Sequence, residues 1–549
     1  MWTKPRTNLS KLLTTAIGMS LLAGSLAACS GTNSGADNGS AGQGGSAGNA
    51  GAADSAVAKE GMPIVQEPIT LSLMAPDVGH AKWEDMAVLK EMEKLTNIKL
   101  TFQNAPQDSF ETKKNLVFAS GSYPDIFYAA DLKPAEQVTY GSQGVLIPLE
   151  GLIDGGYAPN LKKILDENPQ IRKNITTPDG HIYALPNVDL TAVWYRSPMW
   201  YNGSFLKKLG VSELPKTTDE FYAYLKRVKA EDANGNGKAD EIPLTSTKLD
   251  DLRMFFFGFW GMYNEVIYAD KDGKVHYSPQ EEGYKGYLTF MNKLWSEELL
   301  DHETFSQTDE QKKAKGKNNQ VAVFNDYYPY FTMGGEPSRE HPMMQPLQSE
   351  IAGTPVYGKH PGQSANGVFA ISKTNPNPEA TMRWADYQYG YEGSLLFSQG
   401  PENVLWKYSD KATLTKEPLE VPGGGSRDDY KGTLTPNYGI LPPGVNLPEN
   451  NKGLQSDFDA FIAEENEKKL VPIGKIPFPN VFLTPEEQSE VTAMLSDMNP
   501  YVEQMEAKFI TGQEPLSGWD KYAAQLKKMG SDRIVEIYQA AYDRWNGSK

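Results

Sequence analysis

Ten residues, Asp232 to Glu241, carry the densest chemistry of the chain. Oxygen side chains stand at loop positions 1 (Asp232), 3 (Asn234), 5 (Asn236) and 9 (Asp240), with Gly237 at position 6. That is the ligand spacing of an EF-hand loop, in which oxygens surround a hard cation such as calcium. Gly237 permits the sharp turn, and Lys238 offers its backbone carbonyl while its ammonium points outward. Position 12 is Pro243, where an EF-hand has a bidentate glutamate, so Glu241 at position 10 is expected to supply that carboxylate. Because every ligand comes from one short loop, the role expected of calcium here is structural. The alternative is a solvated Asn-Gly turn without metal.

Aromatic residues beside predicted strand ends and turns are candidates for holding a sugar, whose apolar C–H faces stack on indole and phenol rings. They are Trp83, Tyr128, Trp194, Trp260, Tyr263, Tyr327 and Trp406, with Asp125 and Arg196 as hydroxyl partners. Taken singly, each ring suits a hydrophobic core better than a ligand contact, and Asp125 suits a turn cap equally well. Catalytic signatures are missing. The one Gly-x-Ser-x-Gly run, Gly44–Gly48, lies in the Ser/Gly-rich segment without the strand-to-helix context of a nucleophile elbow, no His-Glu-x-x-His helix occurs, and the six histidines lack metal-ligand spacing. With 70 carboxylates, an acid pair of the glycosidase kind stays open.

The only cysteine, Cys29, follows Leu26-Ala27-Ala28. Upstream stand a basic segment (Lys4, Arg6, Lys11) and an apolar stretch from Leu12 to Leu26, too short to read as a spanning helix. The arrangement resembles a bacterial lipobox, which implies cleavage before Cys29 and acylation of its thiol. From Ser30 to about Ala58 nearly every residue is Ser, Gly, Ala, Asn or Asp, with no aromatic. Such a segment buries too little apolar area to offset the entropy of ordering it, so a flexible tether is expected. The expected location is the outer face of the cell membrane, held by a lipid anchor.

About 490 residues follow the tether, which is long for one core and suits two lobes. A single cysteine leaves no disulfide to hold them. The net charge of −17 argues against nucleic acid as a partner and against charge-driven adhesion to an anionic membrane. Ile69–Met74 alternates as a strand, Trp83–Thr96 and Phe110–Ser120 read as helices, and Ile98–Phe102 and Tyr123–Tyr128 as strands. That order predicts a parallel α/β sheet with right-handed crossovers. Thr217 or Thr218 is a suitable cap for a helix over Asp219–Lys229.

Several segments, in order, resemble extracellular solute-binding proteins of the oligosaccharide class. They are His181–Pro186 with Val193-Trp194-Tyr195, then Tyr201-Asn202 with Phe205–Gly210, then Gly367–Ser372 with Asn375–Glu379, and finally the block from Leu483 through Trp519 to Arg544. The C-terminal block is similar to the lipoprotein branch of that family in Gram-positive bacteria, and the family's alginate-binding members imply a calcium loop like the one above. Gly203-Ser204 departs from the family, which more usually has a polar or charged pair there. The resemblance implies an α/β, two-lobed periplasmic-binding-protein-like fold (type II), each lobe a mixed sheet flanked by helices, with a helical C-terminal end. It implies a monomer that is not an enzyme, which captures an oligosaccharide between its lobes and delivers it to the membrane subunits of an ABC-type importer. An anchored hydrolase or lyase, or a binder of peptide or another small organic solute, are the alternatives. The expected division is a signal segment over 1–28 and a tether over 29–60. Lobe 1 is expected from 61–186 and 366–405, and lobe 2 from 187–365 and 406–549. The expected crossings lie near Pro186, Gly362–Asn366 and Pro401–Tyr408.

Overall fold

A computed structural model describes residues 57–191, 198–263, 266–358, 363–476 and 478–547. Cys29, the signal segment and nearly all of the tether lie outside the described residues, as do Trp194 and Arg196. Among the described residues, nine strands build the two main sheets. They are β1 (Ile69–Met74), β2 (Ile98–Phe102), β3 (Ile126–Tyr128), β4 (Leu185–Asp189), β5 (Met199–Tyr201), β6 (Ile242–Thr245), β7 (Val321–Asn325), β8 (Gln363–Ile371) and β9 (Gly444–Asn446).

Lobe 1 is a six-stranded sheet in the order β9-β4-β8-β3-β1-β2. The pairs β1–β2, β1–β3 and β4–β9 are parallel, while β8 runs antiparallel to both of its neighbours. Alternate side chains enter two different cores. Leu71, Leu73, Tyr128, Leu185 and Phe369 join one face with Trp384, and Met74, Phe127 and Ala370 join the other with Phe110 and Phe118. A sheet covered on both faces explains why its strands read as continuous apolar runs. Lobe 2 has a three-stranded sheet, β5-β7-β6, inside a large core that includes the C-terminal helices Pro485–Thr511, Trp519–Lys528 and Ser531–Gly547. The predicted helix after Thr217 spans Thr218–Ala230, and Thr217 caps it, its hydroxyl accepting the Glu220 N–H in a capping box. The helix predicted from Trp83 begins instead at Ala87. Met86 is extended (φ −65°, ψ 133°) and breaks it from a 3₁₀ turn at Trp83–Asp85.

The chain passes between lobes three times. It leaves β4 for β5, returns from lobe 2 into β8, and leaves again between the turn Pro448–Asn451 and the helix Asp457–Lys469, whose Phe458, Phe461 and Ile462 belong to the lobe 2 core. Two expected boundaries are corrected. Residues 187–189 stay in lobe 1 because they pair with β9. The expected third crossing near Pro401–Tyr408 is instead a hairpin of Trp406–Asp410 on Thr415–Pro418, fixed to lobe 1 where Lys416 Nζ donates to the Glu449 carbonyl at 2.8 Å. The end of the last helix reaches back to lobe 1, where Trp545 Nε1 donates to Asn174 Oδ1 at 2.9 Å.

Candidate functional site

The three crossings leave lobe 1 at one edge of its sheet, the edge formed by the carboxyl ends of β4 and β9 and the amino end of antiparallel β8. The carboxyl ends of β1, β2 and β3 lie on that same edge, where ligands settle in parallel α/β sheets. The segments that follow them build a rim. Asn104 Oδ1 accepts the Ala75 N–H at 3.1 Å and ties two of these ends together, and Asp77 Oδ1 accepts the Gly79 N–H at 2.8 Å. Ala129 and Asp131 adopt φ of 49° and 46°, which turns the chain sharply off β3. Between these segments and Ile440–Leu441 runs a groove of about 750 Å³, floored by Pro76, Phe110 and Val368. A smaller recess of about 400 Å³ continues it past Asp77, Asn104 and Asp108.

On lobe 2 the corresponding edge holds the carboxyl ends of β6 and β7, because β5 enters from the crossing and runs antiparallel to β7. An aromatic group stands directly after β7. Tyr327 is 57% exposed and Phe331 40% exposed. Tyr328 lies beneath them, 4.6 Å from Tyr327, 5.6 Å from Phe331, 5.5 Å from Tyr330 and 5.3 Å from Phe458. Asp326 anchors the turn, since its carboxylate accepts the Tyr327 N–H and the Thr332 hydroxyl, each at 2.7 Å. Lys312 Nζ stands 3.6 Å from it. Two solvent-facing rings on a packed aromatic base make a stacking surface.

Of the residues singled out from the sequence, Tyr327 is the one that this edge presents to solvent. Trp83 is 3% exposed, packed edge-on to Phe102 and Tyr128. Tyr128 is buried, its hydroxyl 2.9 Å from both Gln388 Oε1 and Asn437 Oδ1, and burial raises its pKa well above the ordinary value. Asp125 sits at the amino end of β3, its carboxylate accepting the N–H and hydroxyl of Ser72 at 2.7 and 2.8 Å. Trp260 is 7% exposed in the lobe 2 core. Trp406 is 3% exposed, and its Nε1 donates to the Gly400 carbonyl at 3.0 Å. Tyr263 is half-buried, its ring stacked on Tyr268 at 5.3 Å. Trp83, Tyr128, Trp260 and Trp406 thus have no face left for a ligand, and Asp125 is engaged within lobe 1. Phe331 and the rim segments were not singled out. Their signal was positional: Pro76-Asp77, Asn104 and Ala129–Asp131 are what immediately follow the three predicted parallel strands.

The loop 232–241 folds around its own oxygens. Asp232 Oδ2 accepts the Gly237 N–H at 3.0 Å, Asn234 Oδ1 the Asn236 N–H at 3.0 Å, and Asn236 Oδ1 the Lys238 N–H at 2.7 Å. The Asp240 carboxylate receives the side-chain amides of Asn234 and Asn236 at 2.8 and 3.0 Å, and these hydrogen bonds lower its pKa. Glu241 Oε1 lies 3.3 Å from the Asn234 N–H. Gly237 has φ 75°, which a side chain would strain. The side-chain oxygens of Asp232, Asn234, Asn236 and Asp240 are engaged in hydrogen bonds within the loop, and among the described residues no group of three or more His, Cys, Asp or Glu is placed to hold a metal ion, so the loop has the residue types of a hard-cation site without a converged set of carboxylates. No helix among the described residues is long and apolar enough to cross a membrane.

The sequence is 28% identical over 491 residues to the fructooligosaccharide ABC transporter substrate-binding protein FusA of Streptococcus pneumoniae, covering 84% of this chain and 87% of that protein. It is 23% identical to the polygalacturonan/rhamnogalacturonan-binding protein YtcQ of Bacillus subtilis, over 95% of this chain and 96% of that one. The structure of FusA in complex with kestose superposes with a TM-score of 0.72 at 26% identity, over 88% of this chain and all of that one. An EF-hand mutant of FusA has also been solved, and it superposes equally well. Residues 80–394 match the family model described as bacterial extracellular solute-binding protein. This chain belongs to that family of two-lobed extracellular solute-binding proteins.

Proposed function

We propose that the protein captures an oligosaccharide between its lobes and delivers it to an ABC-type importer without consuming it. The observation that carries this reading is the pairing of a groove, apolar in its floor and polar at its rim, at the carboxyl ends of β1, β2 and β3 with the exposed Tyr327 and Phe331 at the corresponding edge of lobe 2. Sugar rings present apolar faces to such aromatics and hydroxyls to rim groups such as Asp77, Asn104 and Gln107. Three crossings at one edge form a hinge, and a ligand touching both edges favours the closed arrangement by its differential affinity for it. The similarity to a fructooligosaccharide-binding protein supports the same class of solute. Calcium held by Asp232, Asn234, Asn236, Asp240, Glu241 and the Lys238 carbonyl would supply charge to fix this loop, remote from the groove in role. The chain is anchored through Cys29, and the tether sets the lobes away from the lipid.

The test is titration calorimetry against neutral and acidic oligosaccharides, with small-angle scattering and product analysis on the same mixtures. Binding, compaction and intact ligand are expected. Tyr327→Ala should weaken binding by at least about tenfold while leaving stability within about 0.5 kcal/mol. Release of shorter sugars would replace this reading with that of a carbohydrate-active enzyme.

A further inference from the structure

The groove and recess at the rim of lobe 1 carry charge of one sign. The described residues that line them include four carboxylates, Asp77, Asp108, Glu111 and Asp131, and no lysine, arginine or histidine. Asp77 is half-buried and the other three are exposed, so a ligand in the groove can reach all four. Two of them already meet a cation. Glu111 lies 3.0 Å from Lys114 Nζ, which is fully buried and also holds Glu136 at 2.9 Å, and Asp131 pairs with Lys133 at the surface.

Asp77 and Asp108 have no such partner among the described residues. Asp77 spends Oδ1 on the Gly79 N–H, which leaves Oδ2 for a ligand. Asp108 stands in the first turn of the helix Gln107–Ser120. The amino end of a helix draws anions, and here the Asp108 carboxylate already takes that place. Carboxylates accept hydrogen bonds and cannot donate them. The rim therefore suits a ligand dense in donors, and the floor of Pro76, Phe110 and Val368 suits an apolar face. A neutral sugar ring has both. A uronate has the same face, but its carboxylate meets Asp77 and Asp108 with no cation to offset the repulsion. The edge of lobe 2 adds no surplus of positive charge. Lys248, exposed after β6, is followed by Asp250 and Asp251, while Lys312 is shared by Asp309 and Asp326 and Lys313 is held by Asp309.

We propose that the lobe 1 half of the cleft selects uncharged sugar units and rejects uronates, with Asp77 and Asp108 as the specificity-determining residues. The inference rests on the oligosaccharide reading above and names the class of sugar within it. Discrimination of this kind sets an uncompensated charge against the wrong ligand, while the same oxygens accept hydroxyls from the right one.

The test is calorimetry on the folded chain with neutral fructo-, xylo-, manno- and galacto-oligosaccharides, and with oligogalacturonate and oligomannuronate of equal length, by competition where direct binding is too weak to titrate. At least one neutral series should bind, and the uronides at least about hundredfold more weakly. The double variant Asp77→Asn with Asp108→Asn keeps the shape of both side chains and an acceptor for the Gly79 N–H. In it the ratio of the two affinities should narrow at least about tenfold, with thermal melting as the check on folding. A parent that binds a uronide as tightly as any neutral sugar overturns the inference and leaves the oligosaccharide reading standing. An unchanged ratio in the folded double variant overturns it too, because the discrimination then lies elsewhere. If the double variant does not fold, Asp77→Asn and Asp108→Asn singly decide by the same ratio. A parent that binds neither class removes the oligosaccharide reading and this inference with it.

Discussion

Replacing Trp260 by alanine separates core from ligand contact at a position where the sequence suggests either. The indole is 7% exposed, and its neighbours Phe259, Tyr287 and Phe290 lie with ring centroids 5.7, 6.1 and 5.6 Å away. Truncation removes roughly 200 Å² of buried ring, which at ~25 cal/mol per Å² is about 5 kcal/mol. Core substitutions of Phe or Trp by Ala fall in a range of about 3–5 kcal/mol, depending on how far the site can collapse. Collapse is poor here. The helix Glu282–Ser296 meets the ring with bare backbone at Gly286, where a Cβ would stand 2.6 Å from Trp260 Cδ1, so that helix offers no side chain there and only Ile351, whose Cδ1 stands beside the same point, is near enough to move toward the gap. The upper half of the range is therefore expected. Urea unfolding followed by circular dichroism gives the stability, and hydrogen exchange in the helix Glu282–Ser296 locates the loss. Affinity for the oligosaccharide should change little under conditions where the variant stays folded. A variant that unfolds like the parent but no longer binds sugar would show that Trp260 faces the ligand and that the packing argument is wrong.

Calcium should raise the midpoint of thermal unfolding in proportion to RT ln(1 + [L]/Kd). Asp232→Ala or Asp240→Ala should abolish that response, and a parent indifferent to both calcium and chelator would exclude the site. Cys29→Ser should accumulate as an uncleaved or mislocalised precursor, measured by fractionation; processing and membrane retention equal to the parent's would contradict acylation. His276 offers both ring nitrogens to carboxylates, Glu281 Oε1 and Asp270 Oδ2, each at 3.1 Å. The hydrogen bond to Glu281, with that to Asp270 and against burial, raises its pKa above the ordinary 6.5. A raised native pKa means that the protonated ring stabilises the fold fully below about pH 6.5 and loses that effect as pH rises through the native value. Stability should therefore fall across that window, and His276→Gln should flatten the slope. An unchanged slope would place the titration elsewhere.

Much of the fold is readable from short-range signals. Alternation in Ile69–Met74, apolar continuity in β3 and the cap at Thr217 each act within a few residues, and each appears as expected. The lobe boundary near residue 406 was not readable, because it depends on β9 pairing with β4 across more than two hundred residues of chain. Among site residues, composition favoured tryptophan, yet Trp83, Trp260 and Trp406 are large apolar bodies that a core absorbs first. The candidate ring that reaches solvent among the described residues is Tyr327, held out by the Asp326 turn, whose geometry no residue pattern encodes. The turn geometry of the loop 232–241 follows from local hydrogen bonds, to which Gln320 Nε2 adds one distant contact on Asp240 Oδ2 at 3.3 Å.

The position of β8 constrains the order in which this molecule can form. It is the inner strand that joins β3 to β4, yet it arrives from residues 363–371, after most of lobe 2 has been synthesised, and β9 arrives later still. Until then the first 190 residues hold a three-stranded piece, β3-β1-β2, with an open edge and a β4 that has no partner strand, surfaces that invite pairing with other chains. Contacts of such sequence separation form slowly. This order keeps the N-terminal half of lobe 1 incomplete until β8 is made. It also makes the passage between emergence of β3 and arrival of β8 the interval in which the chain is most exposed to aggregation and to proteases.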